Sequence, residues 1–174
     1  MPWTELDTLH RMGLEELLND FGITGISEEA KADLNLAWHR LDPWPDSPPG
    51  LQRLKSKFIL ATMSNGNIAL MVDMAKYAGL PWDTILGAEL AHAYKPDAKT
   101  YLTGVELLHL KPEQVMMVAA HQGDLLAAAK QGLRTAFVKR PLERGINGKV
   151  DTTPDPSFDY VCDDFRDLAT QLSV

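Results

Sequence analysis

The run Val115-Met116-Met117-Val118-Ala119-Ala120, followed by His121-Gln122-Gly123-Asp124-Leu125, decides the fold. An uncharged stretch of this length has the pattern of a strand buried on both faces. A polar turn follows, then a helix from about Asp124 to Gln131 with Gly132 as its C-cap. Downstream, Thr135 to Val138 reads as another strand. Tyr160 to Cys162 is one more, before a last helix from Phe165 to Leu172. The stretch Arg140 to Phe158, rich in Gly, Pro, Asp and Thr, reads as a surface loop. Upstream, Ala98 to Leu108 is helical, starting after Lys95-Pro96-Asp97 and closing before Pro112. Thr84 to Ala88 is a weaker strand. Phe58 to Met63 is a short apolar run ending in Ser64-Asn65-Gly66-Asn67, with a helix from Ile68 to Ala78 closed by Gly79. This alternation predicts an α/β fold: a Rossmann-like parallel sheet with helices on both faces.

The N-terminal part reads differently. Leu6, Leu9, Leu14, Leu17 and Leu18 recur at the spacing of one helix face. Ser27, with Glu28, Glu29 and Ala30 behind it, announces a second helix running through Leu34, Ala37, Trp38 and Leu41. Pro43, Pro45, Pro48 and Pro49 then break the pattern, so Asp42 to Gly50 reads as a boundary. The expected organisation is a helical appendage over residues 1–45 and an α/β core over residues 46–174.

Composition excludes several function classes. The 174 residues suit one domain with a small appendage, and a chain of this size hides roughly 70% of its unfolded surface. Acidic residues outnumber basic ones, 24 to 17, for a formal charge of −7. Phosphate-backbone binding needs a basic face, so nucleic acid is not the expected partner. Cys162 is the single cysteine, which rules out a disulfide within the chain and a thiolate metal cluster; it reads as a buried apolar filler. Apolar runs fall far short of the roughly 20 residues that span a bilayer. Met1 to Glu5 lack the pattern of a signal peptide, so a cytoplasmic setting is expected.

Three segments place polar residues at the carboxyl ends of strands, where open parallel sheets bind ligands. Ser64-Asn65-Gly66 joins a strand to a helix and serves equally as an anion site or as a simple cap and turn. Lys95, held extended before Pro96, either aims its ammonium inward or is a solvated surface charge. Asp124 is either the N-cap of its helix or a functional acid at the strand edge. His121, in the turn before it, is a ligand or proton carrier only in company.

Together, in this order, the three resemble the later motifs of the haloacid dehalogenase superfamily. Met63-Ser64-Asn65-Gly66-Asn67, Tyr94-Lys95-Pro96-Asp97 with Tyr101 behind, and Val118 to Leu125 followed by Gly132 to Val138 are most similar to the type II 2-haloacid dehalogenases. Trp38-His39-Arg40-Leu41 and Pro43-Trp44-Pro45-Asp46 resemble that family's return from cap to core. In such enzymes an aspartate on the first core strand attacks the carbon bearing the halogen, and water hydrolyses the resulting ester. The resemblance implies that Ser64 and Asn65 hold the substrate carboxylate or the nucleophile, with His121 beside them. It implies that Lys95 balances buried negative charge, and that Asp124 partners the lysine and positions water. It also implies a small anionic substrate, a 2-haloacid or similar carboxylate, and chemistry without metal or other cofactor. Ala119, His121 and Gly123 depart from the Ser, Asn and aromatic residue common in the last motif, which bears on halide and substrate specificity.

The superfamily's opening strand, ending in Asp-x-x-Gly-Thr, has no counterpart here. Asp20-Phe21-Gly22-Ile23-Thr24 reads instead as a helix end, with Gly22 as C-cap. The expectation is therefore a core without its nucleophile strand, carrying a partial cap over roughly Pro2 to Leu41, and Arg11 and Arg40 do not match the family's halide-contacting arginine. Such a chain is expected to be inactive alone, and to be unstable or to form a homo-oligomer through the gap between Phe58–Met63 and Val115–Ala120. Two alternatives stand beside a dehalogenase: a non-catalytic remnant binding small carboxylates or phosphate, and a phosphatase of the same superfamily.

Overall fold

In the computed structural model, which describes residues 3–150 and 152–174, an N-terminal helical part precedes an α/β core. Helix α1 spans Leu6–Asp20 and α2 spans Glu28–Asn35. Ser27 caps α2 by accepting from the Ala30 amide at 3.2 Å. The two helices are clipped together by charge: Lys31 Nζ lies 2.9 Å from Glu15, and Arg11 pairs with both Glu15 and Glu28. The expected second helix does not stay α-helical to Leu41; its last part, Leu36–Arg40, tightens to a 3-10 helix. The segment Asp20 to Thr24 is a helix end, with Gly22 at φ 64°. Met1 and Pro2, at the front of the expected appendage, lie outside the described residues.

The proline-rich boundary is shorter than expected. Helix α3, Ser47–Leu54, begins inside it, with Pro48 and Pro49 in its first turn, where a missing N–H breaks no hydrogen bond. Gly50 sits against α8 (Phe165–Gln171), and a Cβ there would stand 2.5 Å from Phe165 Cβ. Helix α4, Ile68–Ala78, ends as expected at Gly79 in the left-handed region, φ 63°. A short helix α5, Ala88–Ala91, and α6, Ala98–Leu107, lead into the sheet.

The sheet has three parallel strands in the order β1 (Met116–Ala119), β2 (Arg134–Val138) and β3 (Tyr160–Cys162). Val118 faces Ala136, and Phe137 faces Val161. Helix α7, Gln122–Ala129, connects β1 to β2. Two expected strands are reduced to less. Phe58–Met63 and Thr84–Ala88 form no strand ladder; they meet through single parallel bridges, Ala61 with Thr84 and Ser64 with Gly87, and through the Thr62 hydroxyl, which donates to Leu86 O at 2.8 Å. Asp83 supports this ribbon by accepting from the Leu60 amide at 2.9 Å. Among the described residues no backbone hydrogen bond joins residues 58–65 to β1.

Two apolar clusters cover the sheet. Leu51, Leu54, Leu60, Ala136, Val138, Cys162 and Leu168 form one, between the sheet and the α3–α8 pair. Tyr101, Val105, Met117, Leu125, Leu133 and Phe137 form the other, and Met63 packs against it. Cys162 is fully buried, as expected for an apolar filler. No described helix is long and apolar enough to cross a membrane.

Candidate functional site

Polar groups gather at the carboxyl end of the sheet, on three loops. The first is Ser64 to Asn67, which leads into α4. Its backbone lies hard against Gly87: the Ala88 amide donates to Ser64 O at 2.9 Å, and Gly87 has φ 151°. A Cβ at Gly87 would stand 2.2 Å from Ser64 O, so only glycine permits this approach. Ser64 Oγ accepts from the Gly66 amide at 3.0 Å, while Asn65 Oδ1 accepts from the Lys95 amide at 2.9 Å. Asn65 is therefore the strut between the first loop and the second.

The second loop carries Lys95. Its side chain is turned inward, only 14% exposed, and Nζ donates to Asp124 Oδ2 at 2.7 Å. Asp124 is in the first turn of α7 but does not cap it; the N-cap residue is His121, without a side-chain bond. The other carboxylate oxygen accepts from Tyr101 Oη at 2.6 Å. Tyr101, on α6, is completely buried, and the Lys95 ammonium lies 5.7 Å from the centre of its ring. Burial pulls the Lys95 ammonium below its ordinary range against the opposing pull of Asp124. Burial and then the Asp124 carboxylate push the Tyr101 phenol well up. The phenol is a fixed hydrogen-bond donor, and the ammonium has two protons beyond the one that Asp124 takes.

The structure thus joins Asn65, Lys95 and Asp124, and adds Tyr101. Ser64 enters through its neighbour rather than by a side-chain bond to the lysine. His121 does not join: its ring is 70% exposed and Nε2 lies 2.7 Å from Glu143 Oε1, on the loop after β2. Arg11 and Arg40 are engaged elsewhere, Arg40 with Asp33 at 3.0 Å. Sequence reasoning noted Tyr101 only as part of a motif; its place one turn after Asp97 on the inner face of α6 was the available signal. It missed a network around the buried His39, next to the first loop. There His39 Nδ1 lies 2.8 Å from Asp73, and its Nε2 lies 3.1 Å from Asp7, which also accepts from Asn67 Nδ2 at 2.8 Å. Its members come from separate segments, so no local pattern announces it. Among the described residues no three His, Cys, Asp or Glu side chains gather as metal ligands.

Comparison with known proteins identifies the family of the chain. Residues 3–132 match the family model of haloacid dehalogenase-like hydrolases. The (S)-2-haloacid dehalogenase 4A of Burkholderia cepacia is 33% identical over 137 residues, covering 71% of this chain and 59% of the relative. The first three curated relatives are spanned over only 51–59% of their length. Among solved structures, the L-2-haloacid dehalogenase PA0810 is 46% identical with a TM-score of 0.95, over 99% of this chain and 75% of that one. The defluorinating L-2-haloacid dehalogenase Rha0230 is 45% identical with a TM-score of 0.97, over 100% and 72%.

Proposed function

Since the chain belongs to the haloacid dehalogenase-like hydrolase family, we propose that its Asn65–Lys95–Asp124 cluster serves hydrolytic dehalogenation of small L-2-haloacids in the cytoplasm. Ser64 and Asn65 hold the substrate carboxylate. Lys95 offsets the buried negative charge, and Asp124 orients the hydrolytic water. Residues 1–45 act as a partial cap over the core of residues 46–174. The observation that carries this reading is the Lys95 ammonium, sunk between Asp124 and Tyr101 with two protons left for an anion. A desolvated ammonium attracts a second carboxylate far more strongly than a solvated one.

The attacking carboxylate is not in this cluster. Asp124 has both oxygens tied to strong donors, which lowers its nucleophilicity, and no Asp-x-x-Gly-Thr follows an apolar strand in residues 1–174. We therefore expect the chain alone to bind haloacids without turnover. The test pairs two measurements on L-2-chloropropionate. Binding followed by NMR should be saturable and lost in Lys95→Ala, while chloride release should be absent. Release should appear when a strand ending in Asp-x-x-Gly-Thr is joined upstream. Absence of binding in both forms, or magnesium-dependent phosphate release from simple esters instead, overturns the dehalogenase reading.

A further inference from the structure

A cavity of about 600 Å³ opens beyond β1, walled by His121 and Gln122 on one side and by Glu143, Arg144 and Lys149 on the other. Its one hydrogen-bonded link to the Lys95–Asp124–Tyr101 cluster among the described residues is through the backbone, where the Asp124 amide donates to His121 O at 3.1 Å. Its charge is unlike that of the molecule as a whole. The chain carries −7, yet among the described residues this wall sets two permanent cations against one carboxylate. Among the described residues, neither Arg144 nor Lys149 makes an ion pair or hydrogen bond through its side chain, and the one carboxylate is already committed to His121 at 2.7 Å.

The backbone brings residues 144 and 149 into one turn. Gly145 takes φ 76°, the Gly148 amide donates to Gly145 O at 3.1 Å, and the Gly145 amide donates to Leu142 O at 2.9 Å. The turn is so tight that a Cβ on Gly148 would stand 2.3 Å from Arg144 Cβ. Residues 144 and 149 are thereby brought to one wall by the fold of the chain. Like charges held close without a counterion are what an anion relieves. Glu143 marks the geometry such an anion would use, since a carboxylate oxygen already rests against the imidazole.

We propose that this cavity is a second anion site, selective for a compact dianion: a short dicarboxylate or a phosphate group that spans Arg144 and Lys149. His121 is its third donor, released when Glu143 gives way. A monoanion satisfies only one of the two cations and binds more weakly. The site shares the His121 turn with Asp124, but its cation pair lies outside the Lys95 cluster and stands if the dehalogenase reading fails.

The experiment follows backbone amides of His121, Gly145 and Gly148 by NMR while succinate, inorganic phosphate or acetate is added at constant ionic strength. Saturable shifts with succinate or phosphate, at least about fivefold tighter than with acetate, are expected; which dianion binds better assigns the class. The double variant Arg144→Ala/Lys149→Ala, altered only at exposed side chains, should weaken binding about tenfold or more, and Glu143→Gln should tighten it about threefold. Ser64→Ala should leave it unchanged. Shifts that never saturate, equal binding of acetate, or affinity unmoved by the double variant overturn the proposal. Loss of binding in Ser64→Ala would place the anion at the other site and overturn it as well.

Discussion

Asp124 is the residue on which the candidate site balances. Each of its oxygens takes one strong donor, Lys95 Nζ at 2.7 Å and Tyr101 Oη at 2.6 Å, in a setting where water contributes little. The donors are not equivalent. Tyr101→Phe keeps the buried ring and removes one bond to a charged acceptor, so stability should fall by about 1.5–2 kcal/mol in urea unfolding. Asp124→Asn also keeps the shape, yet it strands the ammonium without its counter-charge and should cost about 3 kcal/mol. The order of the two losses is the checkable point: a larger loss for Tyr101→Phe would mean that the lysine, not the carboxylate, is well solvated. The sequence made Lys95 and Asp124 visible because each follows a strand end within a motif. It could not show that their charges meet, nor that Asp124 leaves the helix cap to His121, because that depends on how α6 and α7 stand side by side.

Among the elements, the start of α3 is fastened to the loop after β2 and to α8 by a clasp. Asp46, just before α3, accepts from Arg140 Nη2 and from the Phe165 amide, each at 2.9 Å, and Arg140 lies over the rings of Trp44 and Phe165. Both charged side chains are close to fully buried, 10% and 11% exposed. Burial pushes the Asp46 carboxyl up, but the Phe165 amide and Arg140 outweigh it and hold it below the ordinary carboxylate value. A carboxyl depressed in the folded state binds fewer protons there than when unfolded. Its stabilisation is therefore complete above its unfolded value of 3.8 and fades as the pH falls through its folded value. Asp46→Asn should lose about 3 kcal/mol at neutral pH, and urea midpoints of the two proteins should converge below that value. A gap that stays constant down to strong acid would show that the clasp works through shape alone. This junction also shows where element reading fails. Prolines at 48 and 49 look like breakers, but in a first helical turn they are tolerated, so α3 starts where an irregular boundary was expected. Gly79 was legible as a helix end because a left-handed cap is a local requirement, whereas α7 stops at Ala129 with Lys130 as its C-cap, two residues short of Gln131, and the left-handed Gly132 lies in the turn beyond. Strand length is not local: Phe58–Met63 has the composition of a strand, but residues 60–64 find only two single bridges to 84–87.

For the molecule as a whole, the consequence is an open sheet edge. The Arg134 amide donates to Val115 O, and β1 runs parallel to β2, so alternate residues of β1 turn their backbone groups toward β2. Met117 and Ala119 share that side with Val115. Met116 and Val118 turn theirs the other way, where among the described residues no backbone partner meets them. Met63 reaches the core cluster behind β1 by its side chain, so packing, not a hydrogen-bonded ladder, holds the ribbon of residues 60–64 near the sheet. An unpaired parallel edge of apolar residues recruits another chain or loses order. Amide exchange should accordingly be faster at Met116 and Val118 than at Met117 and Ala119. Sedimentation should show self-association that grows from micromolar toward millimolar concentration. Saturating the edge would slow exchange at Met116 and Val118 as the associated fraction rises, which ties the two measurements together. If instead the chain sediments as one monomeric species throughout, melts cooperatively and protects all four amides alike, then the ribbon has closed onto β1 and the slot between them does not exist in solution.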